Sequence, residues 1–141
     1  MDIEIREFTP ADSLLALTLW KSSEGIGLSA ADEPERIAGY LARNPGMSFT
    51  AWDGETLVGA VLCGHDGRRG YLHHLAVDRA YREQGIGRAL VDRCHAALQA
   101  LGIEKVHIFV YRDNEAALAF WKGVRYVTRD TLELMSASLD E

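Results

Sequence analysis

Only two cysteines occur in the 141 residues, Cys63 and Cys94, and both lie in apolar surroundings. So few thiols exclude a disulfide-stapled fold, and no grouping with the five histidines has the spacing of a zinc site. A reduced, buried pair is the expectation, with no metal. Long basic runs are also lacking and the formal net charge is −6. A nucleic acid is thereby disfavoured as main partner, because its phosphates would be repelled. No apolar run approaches the roughly 20 residues of a membrane span, so no membrane partner is expected. The start, Met1-Asp2-Ile3-Glu4, has neither the basic head nor the apolar centre of a signal peptide, and cytoplasmic residence is expected. Repeats, low-complexity stretches and linkers are missing too. One domain over residues 1–141 follows, and 48% hydrophobic residues suffice for a single core.

What is present reads as an α+β, α/β/α-layered chain. Ile3, Ile5 and Phe8 suggest a first strand, and Pro10-Ala11-Asp12 start a helix that runs through Trp20. After a loop over 22–32, a second helix spans 34–44 with Ile37, Tyr40 and Leu41 inward. Segments 47–52 and 56–63 form a hairpin across Asp53-Gly54. A strand over 71–77 follows, in which alternation places Tyr71, His73 and Leu75 on one face and Leu72, His74 and Ala76 on the other. Ile86, Leu90, Val91, Cys94, Leu98 and Leu101 recur at helical spacing, with Gly102 as a C-terminal cap. A strand over 103–110, a helix opened by Asn114 and two short strands over 124–128 and 131–135 complete the order β-α-α-β-β-β-α-β-α-β-β.

The densest signal lies between the 71–77 strand and the long helix, where a polar loop ends in Gly85-Ile86-Gly87. Glycines let backbone N–H groups converge without Cβ interference, and a helix start adds unpaired donors and partial positive charge. Such a loop suits a phosphate group. It is not a P-loop, since Arg88-Ala89 replace the required Lys-Ser/Thr. It fits a dinucleotide fingerprint poorly, since Leu90 stands where a third small residue belongs and residues 78–84 separate strand from glycines.

The setting Val77-x-x-x-Tyr81-Arg82-x-x-Gly85-x-Gly87-x-Ala89-Leu90 resembles motif A of the GNAT superfamily, the acetyl-CoA-dependent N-acetyltransferases. Residues 114–121, an Asn-initiated helix leading to an aromatic residue, resemble the second motif of that family. The resemblance implies the GNAT fold, a mixed, twisted sheet of about seven strands with four helices. It implies acetyl-CoA as co-substrate, with its pyrophosphate on the backbone of Arg82, Gln84, Gly85, Gly87, Arg88 and Ala89. Leu75 and Val77 match the segment whose backbone pairs with the pantetheine arm, and the Val77 N–H is the implied donor to the acetyl oxygen. Asn114 matches the cofactor-contacting Asn and also reads as a plain N-cap.

Acetyl transfer to an amine needs a base and a proton for the departing thiolate. His74 and His73 are the candidate bases, because imidazole titrates near the working pH; as fillers, strand histidines have a competing structural role. Trp121 stands where the family places a Tyr that protonates the thiolate, and indole cannot do so near neutral pH. Tyr126 and Tyr111 are the nearby phenols, and Arg125 replaces a family Gly. The helix before it therefore either ends early or closes in a rearranged way. Glu24 lies in a loop that resembles the family's variable acceptor-binding region; it reads first as a solvated loop charge and otherwise as a candidate to attract an ammonium. The reading is an N-acetyltransferase acting on a primary amine of a small molecule, peptide or protein by direct attack in a ternary complex. Its alternative is a non-catalytic acyl-CoA-binding or regulatory module, which Trp121 favours. The resemblance also implies homodimerisation through sheet edges or terminal strands as an option. The acceptor is not legible in residues 22–44.

Overall fold

A meander of hydrogen-bonded strands organises the first part of the chain. In the computed structural model, which describes residues 2–140, β1 (Ile3–Glu7), β2 (Phe49–Asp53), β3 (Thr56–His65) and β4 (Gly70–Val77) pair antiparallel in that order. β5 (Val106–His107) adds to β4 in parallel, giving a five-stranded mixed sheet. The chain divides into two units, Met1–Phe109 and Val110–Glu141.

In the first unit, α1 (Ser13–Lys21) and α2 (Pro34–Arg43) cover one sheet face, where Ala16, Trp20, Ile37 and Leu41 pack with Ala60, Leu62 and Ala76. Both helices have legible starts. Thr9 and Asp12 form a capping box ahead of α1, the Asp12 carboxylate accepting from the Thr9 N–H at 2.9 Å, and Pro34 takes the first helical position of α2. Successive strand residues point to opposite faces. The other face is therefore lined by Gly59, Cys63 and Leu72, and there α3 (Ile86–Ala100) lies close. A Cβ at Gly70 would come within 2.7 Å of Leu98. Cys63 and Cys94 meet between β3 and α3, both fully buried and unbridged. Hydrogen bonding to Cys63 and burial push the Cys94 thiol well above its ordinary range.

The layered α+β class and the four helices agree with the sequence, but the strand count is five where about seven were expected. The strand expected over 103–110 pairs only at Val106 and His107. Residues 124–128 and 131–135 form no strand; Leu132 and Leu134 are exposed. Alternating residues become a strand only where a ladder satisfies their backbone groups, and among the described residues none takes up these segments.

The second unit is built on α4 (Glu115–Gly123), capped by Asn114, whose Oδ1 accepts from the Ala117 N–H at 3.1 Å. The helix closes in a Schellman arrangement. The Arg125 N–H donates to the Lys122 carbonyl at 3.0 Å and the Tyr126 N–H to the Trp121 carbonyl at 2.9 Å. Arg125 occupies the left-handed position at φ +76°, so the turn is kept although glycine is not. A side chain there costs about 1 kcal/mol. Arg125→Gly should therefore raise the thermal midpoint by roughly 3 °C in a calorimetric scan. A lowered midpoint would show that the guanidinium contributes more than the backbone conformation costs.

Candidate active site

The loop after β4 is a chain of local hydrogen bonds ending at a helix start. Asp78 caps a 3-10 turn over Arg79–Tyr81, its Oδ1 accepting from the Ala80 N–H at 2.9 Å. Tyr81 donates its hydroxyl to Asp53 at 2.6 Å, which ties the turn to the β2–β3 connection and raises the Tyr81 pKa. Arg82 Nε reaches back to the Val77 carbonyl at 3.0 Å. Glu83 and Gly85 are both left-handed, at φ +63° and +83°, and this folds the backbone of 83–85 into a concave nest. A Cβ on Gly85 would meet nothing within 4 Å, so the nest opens to free space. The N–H groups of Ile86, Gly87 and Arg88 begin α3 and have no intrahelical carbonyl, whereas that of Ala89 donates to the Gly85 carbonyl. Of the expected donors, Gln84, Gly85, Gly87 and Arg88 thus sit together, whereas the N–H groups of Arg82 and Ala89 are already engaged by the Arg79 and Gly85 carbonyls.

β4 reaches this loop along an open edge. Its parallel pairing with β5 covers only Gly70 and Tyr71, and among the described residues no strand pairs with that edge beyond. On the other edge the Asp78 N–H donates to the Val58 carbonyl at 2.8 Å. Alternation along the ladder turns the Val77 N–H the opposite way, toward the open edge.

The strand faces differ from the simple alternation. Ala60 pairs with Ala76 but Leu62 pairs with His73, which leaves His74 and Leu75 together opposite Val61. This is a β-bulge, and His74 takes a left-handed φ of +57°. The extra residue brings His73 and His74 to the same face, their ring centroids 6.5 Å apart, instead of opposite faces. His74 packs 5.1 Å from Trp20, and its Nε2 lies 2.9 Å from Asp32 Oδ1. The other Asp32 oxygen accepts from the Ser29 N–H at 3.0 Å within a capping box. Asp32 escaped the sequence reading. Its Ser29-x-x-Asp32 box was legible, but the contact with His74 spans 42 positions.

His73 stands apart from that pair, edge-on to Tyr40 and near-parallel to Tyr71 and Phe109. Burial, and secondarily the neighbouring His74, lower its pKa. Glu24 is exposed and pairs with the equally exposed Arg79, so it does not stand ready for an ammonium. In the second unit Trp121 packs edge to face on Tyr126 with centroids 4.8 Å apart, and Tyr111 is largely exposed. Among the described residues no cluster of His, Cys, Asp and Glu is arranged to hold a metal ion.

A model of the acetyltransferase (GNAT) family matches residues 14–124. The chain belongs to that family. An acetyltransferase of Pectobacterium atrosepticum is 33% identical over 133 residues, 94% of this chain and 93% of its own length. Membership makes the chain an acyltransferase, and the fold recurs in solved structures. The PaiA N-acetyltransferase of Thermoplasma acidophilum, in complex with coenzyme A, superposes with a TM-score of 0.78 at 19% identity, over 88% of this chain and 89% of that one. An aminoglycoside acetyltransferase from an uncultured soil metagenomic sample, in complex with sisomicin, gives 0.77 at 18% identity over 98% and 97%.

Two outcomes follow from the histidine geometry. Asp32→Ala leaves the His74 ring unpartnered in a largely enclosed place and should cost about 1–3 kcal/mol of stability in denaturant titration; an unchanged midpoint would mean that the bond contributes nothing. Because the His73 pKa is lowered on folding, the unfolded chain takes up the proton first as pH falls below about 6.5. Stability should therefore drop from pH 7.5 to 5.5, and His73→Gln should flatten that drop. A slope unaffected by the variant would remove His73 as its source.

Proposed function

We propose that this acetyltransferase uses acetyl-CoA and transfers the acetyl group to a primary amine of a small molecule or peptide by direct attack in a ternary complex. The observation that carries the reading is the open edge of β4, which runs from the end of its pairing at Tyr71 straight into the nest and helix start at 83–88. An extended amide chain suits such an edge, and a pyrophosphate suits such a nest. Acetyltransferases of the same fold solved with coenzyme A and with sisomicin support both halves of the reaction.

In this reading Gln84, Gly85, Gly87 and Arg88 hold the pyrophosphate through backbone N–H groups, with Ala89 completing the turn, and the edge at Leu75 and Val77 aligns the arm. Acetyl-CoA supplies an activated acyl group on a thiol leaving group. The Val77 N–H steadies the acyl oxygen as negative charge develops. His73 takes the proton that the amine nitrogen loses as the C–N bond forms and the C–S bond breaks. Its lowered pKa keeps it neutral and ready at neutral pH. His74, with Nε2 directed at a carboxylate that can only accept, carries its proton there and fixes the bulge that presents His73. Tyr126, which packs on Trp121, is the phenol that the sequence offers as proton donor in place of the missing family Tyr. Asn114 caps α4, and the family resemblance gives it a cofactor contact besides.

Excess acetyl-CoA should raise the thermal midpoint by mass action, and Gly87→Val should abolish the shift. No shift with acetyl-CoA but a clear one with NAD or ATP would refute the cofactor assignment. His73→Ala should lower turnover most near neutral pH, with the deficit shrinking as alkaline pH deprotonates the amine. An equal loss at every pH would make His73 a packing residue. Tyr126→Phe should lower turnover about tenfold while the acetyl-CoA shift persists; full activity would place the donor elsewhere.

A further inference from the structure

Three aromatic rings, one of them the His73 imidazole, crowd one corner of the sheet beside His74. Tyr71 and His73 lie 6.4 Å apart at 5° between planes. Tyr71 and Phe109 lie 6.3 Å apart at 9°, and His73 and Phe109 6.1 Å apart at 14°. Near-equal distances put the rings at the corners of a triangle rather than in a column, with their planes aligned. Such a shelf offers aromatic surface against which one more ring can pack. Phe109 is 55% exposed, and Tyr71 and His73 are only partly buried, so the shelf is accessible. Phe109 follows β5, beyond the last β4–β5 pair, where β4 is open.

The acids of the α1–α2 connection bear on what the shelf can take. From the connection between α1 and α2, Asp32 is engaged by His74 and Glu24 by Arg79. Neither is free for a second or third ammonium group. A polycationic acceptor would find three rings, one of them the His73 imidazole, and at Asp32 and Glu24 no unpaired carboxylate. An aromatic acceptor with a single amine would gain ring contact and bring only the nitrogen that reacts. A two- or three-carbon chain covers the 6.1–6.4 Å separating the His73 ring from Phe109 and Tyr71.

We propose that Tyr71, His73 and Phe109 form the acceptor seat and that the acceptor is an arylalkylamine, one primary amine held two or three carbons from an aromatic ring. This rests on the acetyltransferase reading above, with the amine nitrogen delivered to His73. It adds that specificity comes from ring contact rather than from charge.

The test compares kcat/KM for phenethylamine, n-butylamine and spermidine at saturating acetyl-CoA. Phenethylamine should exceed n-butylamine by about tenfold, with spermidine lowest. Phe109→Leu, at an exposed position that tolerates the change, should bring the phenethylamine to butylamine ratio near one. Equal rates in the wild type, spermidine ahead, or a ratio unmoved by Phe109→Leu would each overturn the assignment while leaving acetyl transfer intact. Saturation-transfer NMR on the CoA complex separates the two readings if no amine is turned over. Aryl-proton signals from phenethylamine that disappear in Phe109→Leu would uphold the seat although the chemistry had failed. Their absence in the wild type would overturn the seat itself.

Discussion

One extra residue in β4 governs the arrangement of the site. Without the bulge opposite Val61, His73 and His74 would face opposite layers, one toward α3 and one toward α1. With it both face the α1–α2 side, and the ladder is re-phased so that the Val77 N–H points to the open edge. The bulge holds a non-glycine residue in a left-handed conformation, a cost of about 1 kcal/mol or more. The Asp32 carboxylate and the Trp20 ring are the contacts that offset it. Asp32 in turn is oriented by its own capping box. A short connection between two helices thus sets the geometry of a strand 42 residues away.

The fold was largely readable because its signals are local. The proline and capping-box starts of α1 and α2, the Asp53-Gly54 hairpin and the apolar spacing of α3 are each decided within a few neighbouring residues. The Gly85-x-Gly87 loop was readable for the same reason, since glycine marks a backbone conformation directly. What was missed depended on partners far along the chain. A bulge leaves no mark in alternation, so the faces of Tyr71 to Ala76 were misassigned. The terminal segments alternate correctly for strands, but alternation does not create the ladder that a strand requires. Glu24 looked like a free acid until Arg79, brought near by the fold, paired with it.

The same distinction explains the end of α4. Sequence comparison marks Arg125 as a departure from the family pattern, yet its backbone retains the turn that glycine would make. Side-chain identity and backbone conformation are separable there, and the fold preserved the second at the expense of the first. At Trp121 the departure concerns chemistry instead. The indole keeps an aromatic surface against Tyr126 but loses an exchangeable phenolic proton.

The buried thiol pair has a practical meaning for anyone measuring this protein. Cys63 and Cys94 are both inaccessible, and the Cys94 thiol is held firmly protonated. Aromatic disulfide reagents and maleimides attack thiolates at a surface, so neither residue should contribute colour or label while the chain is folded. The native protein is in effect blank in a free-sulfhydryl assay. In an assay of the proposed reaction, a signal that develops over time then comes either from coenzyme A set free or from molecules that have unfolded, and a control without amine distinguishes the two.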